Sequence, residues 1–191
     1  DGHIFYVLIF PTANTTWVYD ASTQAWHERA GWDNGDFTRH RSNCQVVYNN
    51  EIIVGDYENG NLYAFDLTDY SDNGDIQKWL RSWRALPTNQ NNLKRTAQHM
   101  LQLDCESGVG LNNGQGSDPQ VSLRWSDDGG HTWSNYHART MGKIGEFGER
   151  VIWRRLGMTL KLRDRVYEAS GTDPVKIAIL GAELQASGTS A

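Results

Sequence analysis

An all-β, β-propeller-like fold of about three to four antiparallel blades is what this chain predicts, and three observations carry that expectation. The first is the segment Ser126-Asp127-Asp128-Gly129-Gly130-His131-Thr132-Trp133, which fits the pattern S-x-D-x-G-x-T-W, the Asp-box, at every fixed position. The pattern marks a tight hairpin between outer blade strands. Asp128 is a short acceptor for nearby backbone, the glycines supply positive φ without a steric cost, and Trp133 serves as an apolar anchor beneath the turn. The second is composition: eight Trp, eight Tyr and five Phe accompany nineteen Gly and four Pro, without a long amphipathic helical pattern. Short aromatic and β-branched runs broken by Gly, Asn and Asp read as strands and turns. The third is a repeat. Tyr63-Ala64-Phe65-Asp66 follows Trp17-Val18-Tyr19-Asp20 at an offset of 46 residues, within the range of propeller repeats.

The elements follow in order. His3–Phe10 is a strand closed by Pro11, and Thr16–Asp20 returns through Ala21–Gln24 to Ala25–Arg29. Gln45–Tyr48 and Glu51–Asp56, across Asn49-Asn50, are inner-strand candidates. Tyr63–Asp66 leads through the loop Leu67–Asp75 to a strand bearing Trp79 and Trp83, the second hairpin of the repeat. Thr96–Asp104 is an inner strand, and Leu123–Ser126 opens the third hairpin. Glu149–Leu156 and Arg165–Ser170 alternate as strands, Asp173-Pro174 marks a turn, and Val175–Leu184 is a last apolar strand. Most tryptophans fall where blades bury them. The chain starts at Asp1 inside a strand pattern, so residues 1–185 read as one domain, part of a larger propeller, and 186–191 as a flexible C-terminal tail.

Composition narrows the function classes. The net charge of −5 is mild, but eight of the eighteen Lys/Arg fall between Arg139 and Arg165. Such a stretch reads either as solvated strand faces or as an interface for an acidic surface, with no aromatic interleaving of the RNA-binding kind. Arg150, Arg154 and Arg155 are its candidate interface residues. Cys44 and Cys105 lack metal or CxxC spacing and read as two buried free thiols made in a reducing cytosol. The apolar run Ile4–Phe10 is too short to span a bilayer, so no membrane role is expected.

Motifs of catalysis are missing. Asp69–Asp75 begins like a calcium loop, but Leu80 stands where the bidentate Glu belongs, so an ordinary turn is expected. The six histidines show no zinc spacing, and no nucleophile elbow, phosphate loop or dinucleotide fingerprint occurs. The expectation is therefore no catalytic residues, no metal and no cofactor. The Asp-box residues Ser126, Asp128, Gly130, Thr132 and Trp133 are structural. A carbohydrate-active propeller, either a sialidase-like hydrolase or a lectin, is the alternative that the Asp-box and the tryptophans favour. A kelch-type interaction module is a third, though the kelch double glycine is missing.

The C-terminal third carries a more particular series. Leu123 to Ser134 leads through Gly142 and Gly145 to Arg150-Val151-Ile152-Trp153-Arg154-Arg155-Leu156-Gly157. Asp164-Arg165-Val166-Tyr167, Asp173-Pro174-Val175 and Ile179-Leu180-Gly181-Ala182 follow. This order resembles the tail of the packaged-DNA stabilisation proteins of short-tailed bacteriophages, the hub or nozzle proteins below the portal and its adaptor. The resemblance covers roughly residues 120–184. It implies a virion structural protein of the phage tail, assembled in the host cytoplasm as a homo-hexamer. Its implied partners are the portal adaptor, the needle and the tailspike, with DNA passing through the channel without sequence-specific binding.

Overall fold

The computed structural model describes residues 2–85, 95–159 and 165–188. Fourteen strands are present among them, β1(Phe5–Phe10), β2(Thr15–Asp20), β3(Ala25–Asp33), β4(Asp36–Arg39), β5(Ser42–Tyr48), β6(Glu51–Asp56), β7(Leu62–Ala64), β8(Trp79–Arg84), β9(Thr96–Cys105), β10(Gln120–Ser126), β11(His137–Thr140), β12(Val151–Arg154), β13(Val166–Gly171) and β14(Ile179–Gly188). The chain divides into two compact units, residues 1–77 and 78–191. That boundary falls inside the stretch the sequence reads as one domain, and β14 carries regular structure into the segment read as a tail.

The first unit holds two open antiparallel sheets, β1-β2-β3-β4 and β5-β6-β7. Sequential neighbours pair because the connections are tight. Asn49 and Asn50 both take positive φ between β5 and β6, the backbone a two-residue hairpin demands. At the β2 end, Asp20 accepts bonds from the Ser22 amide, the Thr23 hydroxyl and His3. Burial works against its ionisation, but these bonds prevail and hold its carboxyl at about 2. Val18 is the only fully buried apolar side chain of the four-stranded sheet among the described residues.

The second unit is a sandwich. One sheet runs β11-β10-β13-β8 and the other β12-β9-β14. Their inner faces share one core, in which Leu101 and Leu103 of β9 and Val151 and Trp153 of β12 meet Val121 and Leu123 of β10 and Tyr167 and Ala169 of β13. Alternation along β10 and β13 puts these residues on one face. On β9 the phase slips: Thr96 and Gln98 point inward, then Leu101 and Leu103 do. His99 is the extra residue, where the register with β14 shifts between Gln185 and Ala186.

The propeller expectation is thus corrected. The sheets have three or four strands, none closes on itself, and two of them stack as a sandwich. The apparent repeat was misleading because it recorded turn chemistry. Asp20 closes β2 and Asp66 follows β7 by two residues, and each accepts the backbone amide two residues on, from Ser22 and Thr68. Aromatic-x-aromatic-Asp thus marks two such turns and not two blades, and Asp56 makes the same turn at the end of β6 without the aromatics. The second hairpin does not form. β7 pairs only β6, while β8, with Trp79 and Trp83, lies in the other unit beside β13. The tryptophans are not uniformly core, for Trp153 is buried and Trp26 is half-exposed. Neither thiol is fully buried: Cys44 is exposed and Cys105 intermediate.

Candidate functional site

The turn after β10 is built around the Ser126 hydroxyl, which is buried. It donates to Asp128 Oδ1 at 2.6 Å and accepts the Gly130 amide at 2.8 Å. Asp128 in turn accepts the Thr132 amide at 2.8 Å and the Thr132 hydroxyl at 2.7 Å. These bonds, the one from Ser126 foremost, hold the Asp128 carboxyl well below the usual carboxylate range. Gly129 and Gly130 both take positive φ. Thr132 lies in the turn and outside any strand, since β11 begins only at His137. Trp133 is half-buried, with the Arg124 guanidinium 4.5 Å from its ring centroid. Arg124 also bonds Glu168, its cross-strand partner on β13, at 2.6 Å, so the Trp133 ring meets an anchored guanidinium.

Sequence reasoning missed the residue that ties this turn to its surroundings. Arg165 belongs to the basic stretch read as a solvated or interfacial face, yet it is 2% exposed. Its guanidinium grips Asp127 in a bidentate pair, at 2.6 Å from Nε and 2.7 Å from Nη2. Nη1 donates to the Leu156 carbonyl at 2.7 Å, and Nη2 to that of Met158 at 3.3 Å. Every part of the buried fork is thereby bonded, as a buried charge requires. No local pattern announces such a pair, because Asp127 and Arg165 meet only through the pairing of β10 with β13.

The other end of this tie sets out the basic face. After Arg154 the chain leaves regular β12 through Arg155, whose φ is +60°. The Arg155 amide still reaches the His99 carbonyl at 2.8 Å, so the kink lies opposite the extra residue of β9. Leu156 then drops into the core, and Thr159 closes on Thr96 by reciprocal bonds. Arg154, Arg155, Gly157 and Met158 are left outside. With Ala97, Met100 and Gln185 they line an open groove of about 660 Å³.

Arg150, Arg154 and Arg155 are all exposed, and none has an ion pair among the described residues. The structure brings Arg154 and Arg155 to one groove. Arg150 stands at the far end of β12, roughly 13 Å away along the strand. Of the remaining cations in the stretch, Arg139 and Lys143 are exposed, and Lys161 and Arg163 lie outside the described residues. Among the described residues no group of three or more His, Cys, Asp or Glu could hold a metal ion. Among the same residues no helix is long and apolar enough to cross a membrane.

The second unit is thus a packed two-sheet sandwich with an open groove lined in part by Arg154 and Arg155. Residues 78–187 match the family model described as Bacteriophage P22 Gp10, beta-sandwich. The match spans more than half of the chain, and the chain belongs to that family. It begins at the boundary between the two units. The chain is thus a structural protein of a bacteriophage tail and a virion component. No curated protein matches it in sequence. The carbohydrate-active propeller gains no support, since the domain bearing the Asp-box pattern is a sandwich of a phage structural family.

Proposed function

We propose that this chain is a hub or nozzle component of a short-tailed phage, docked below the portal and its adaptor, which works by assembly and not by catalysis. In this reading it helps retain packaged DNA and supports the attachment of needle and tailspikes. The family supports the tail setting. The observation that carries the docking role is the pair Arg154 and Arg155, exposed without an ion-pair partner among the described residues on a segment that a buried tie holds in place. A surface cation is cheap to solvate and adds little to stability. Fixing the backbone beneath two of them serves recognition of an acidic neighbour, through both encounter rate and specificity. The overall charge of −5 suits a channel component that must let DNA slide, because phosphate contacts accumulate affinity quickly.

The test is assembly of phage particles with Arg154→Glu/Arg155→Glu in place of the natural chain. Incorporation should drop at least tenfold while the purified variant keeps its β circular dichroism and melting profile. Wild-type incorporation by the variant would remove the docking role from this face. Gold-labelled antibody should decorate wild-type particles at the tail vertex between head and spikes; label confined to any other part would contradict the hub position.

A further inference from the structure

Charge is divided sharply between the two units. Residues 1–77 carry 12 Asp/Glu against three arginines, a net −9, while residues 78–191 carry 15 Lys/Arg against 11 Asp/Glu, a net +4. The structure adds two matching surfaces to this division. On the first unit, the loop after β7 presents Asp66-Leu67-Thr68-Asp69. Leu67 is 73% exposed between two exposed carboxylates. The loop is stiff: Asp66 accepts the Thr68 amide at 2.8 Å and the Thr68 hydroxyl at 2.7 Å. Asp69 does the same with Ser71, at 2.9 and 2.8 Å. Those backbone bonds hold both carboxyls below their usual range, so they stay charged. On the second unit, the groove offers the converse: Arg154 and Arg155 line it together with the apolar Ala97, Met100 and Met158, beside Gln98, His99 and Gln185.

We infer that the arginine-lined groove of one copy receives the Asp66–Asp69 loop of a second copy, Leu67 entering over the methionines between two carboxylate–guanidinium contacts. This deepens the assembly reading above and rests on it. An apolar side chain flanked by opposite charges gives both affinity and register, and a loop already held by its own hydrogen bonds loses little freedom on docking. Loop and groove are different surfaces, so the contact is head-to-tail. Repeated, it makes a ring or a filament, and never stops at a symmetric dimer. Duplex DNA is the other polyanion that a basic face attracts, but it offers nothing for the apolar lining.

The test is light scattering on the 191-residue chain. At about 50 mM salt its mass should exceed the 21.6 kDa of one chain and should return to it near 0.5 M, as screening shortens the reach of the charges. Arg154→Gln/Arg155→Gln and Asp66→Asn/Asp69→Asn should each run as single chains. Asn keeps the acceptor that closes each turn, so the second variant tests charge and not folding. Mixed in equal amounts, the two variants should give a species of two chains and nothing larger, because only one intact groove and one intact loop remain per pair. A wild-type mass of one chain throughout, or a mixture that stays as single chains, overturns the inference. So does a duplex oligonucleotide that binds the wild type and not the arginine variant, with no assembly. Any of these leaves particle incorporation to decide the docking role on its own.

Discussion

The two units of this chain solve the same problem, burying one face of a small antiparallel sheet, with opposite success. In residues 78–191 two sheets face each other and bury Leu101, Leu103, Val121, Leu123, Val151, Trp153 and Tyr167 almost completely. In residues 1–77 only Val18 and Val54 among the described apolar side chains are that deeply buried. There Val46, Val47 and Tyr48 of β5, Leu62 of β7 and Ile4 face solvent, and β5 is a sheet edge free of Lys and Pro. Such an edge lacks the charges and prolines with which proteins blunt exposed strands. The sandwich is held by its own core. The first unit is held by its turns, where Asp20, Asp56, Asp66 and Asp69 each accept the amide two residues on.

The contrast breaks most visibly at buried side chains. Arg165→Met removes one partner of the buried pair and strands Asp127, so it should cost about 3–5 kcal/mol in denaturant unfolding. A loss under 1 kcal/mol would mean that the tie to Leu156 and Met158 is ornamental. Leu123→Ala should cost about 2–5 kcal/mol, whereas Val47→Ala in the first unit should change stability by less than about 0.5 kcal/mol. Equal costs would erase the distinction between the units. Gly171→Ala sharpens it further. A Cβ there would meet Trp79 Nε1 at 2.6 Å on the paired strand, and overpacking of this kind costs about 1–3 kcal/mol. Ser126→Ala, which deprives the Gly130 amide and Asp128 of their shared partner, should cost about 1–3 kcal/mol.

The smallest effect concerns acid. Asp20 has a folded pKa of about 2, below its ordinary 3.8. Its contribution is therefore complete above pH 4 and fades as pH falls through 2. The β2–β3 hairpin should loosen in that window, seen by tyrosine and tryptophan fluorescence, and Asp20→Asn should move the transition. A variant that titrates like the wild type would remove Asp20 from the hairpin's stability.

Much of the fold was legible because strands and turns are local. The strands flanking Asn49-Asn50 formed as β5 and β6, and alternation along Glu149–Leu156 and Arg165–Ser170 found β12 and β13. The partnership of sheets was not legible, since turn chemistry repeats at Asp20 and Asp66 whichever sheet a strand later joins. Trp79 and Trp83 show the point: they resemble a returning blade strand in sequence, but their partners are β13 residues some ninety positions away. At the candidate site, Arg154 and Arg155 stood out as charges in a basic stretch. Arg165, in the same stretch, is buried by a pairing that no spacing reveals. Charge alone does not separate the cation that recognises from the cation that holds.

Hydrogen exchange followed amide by amide on the chain under native conditions tests the central asymmetry most directly. Amides of β9, β10, β12 and β13 should exchange only through global opening of the sandwich. Those of β1, β5 and β7 should exchange ~100-fold faster or more, through local opening. Uniform protection across both units, lost in a single transition, would contradict the account.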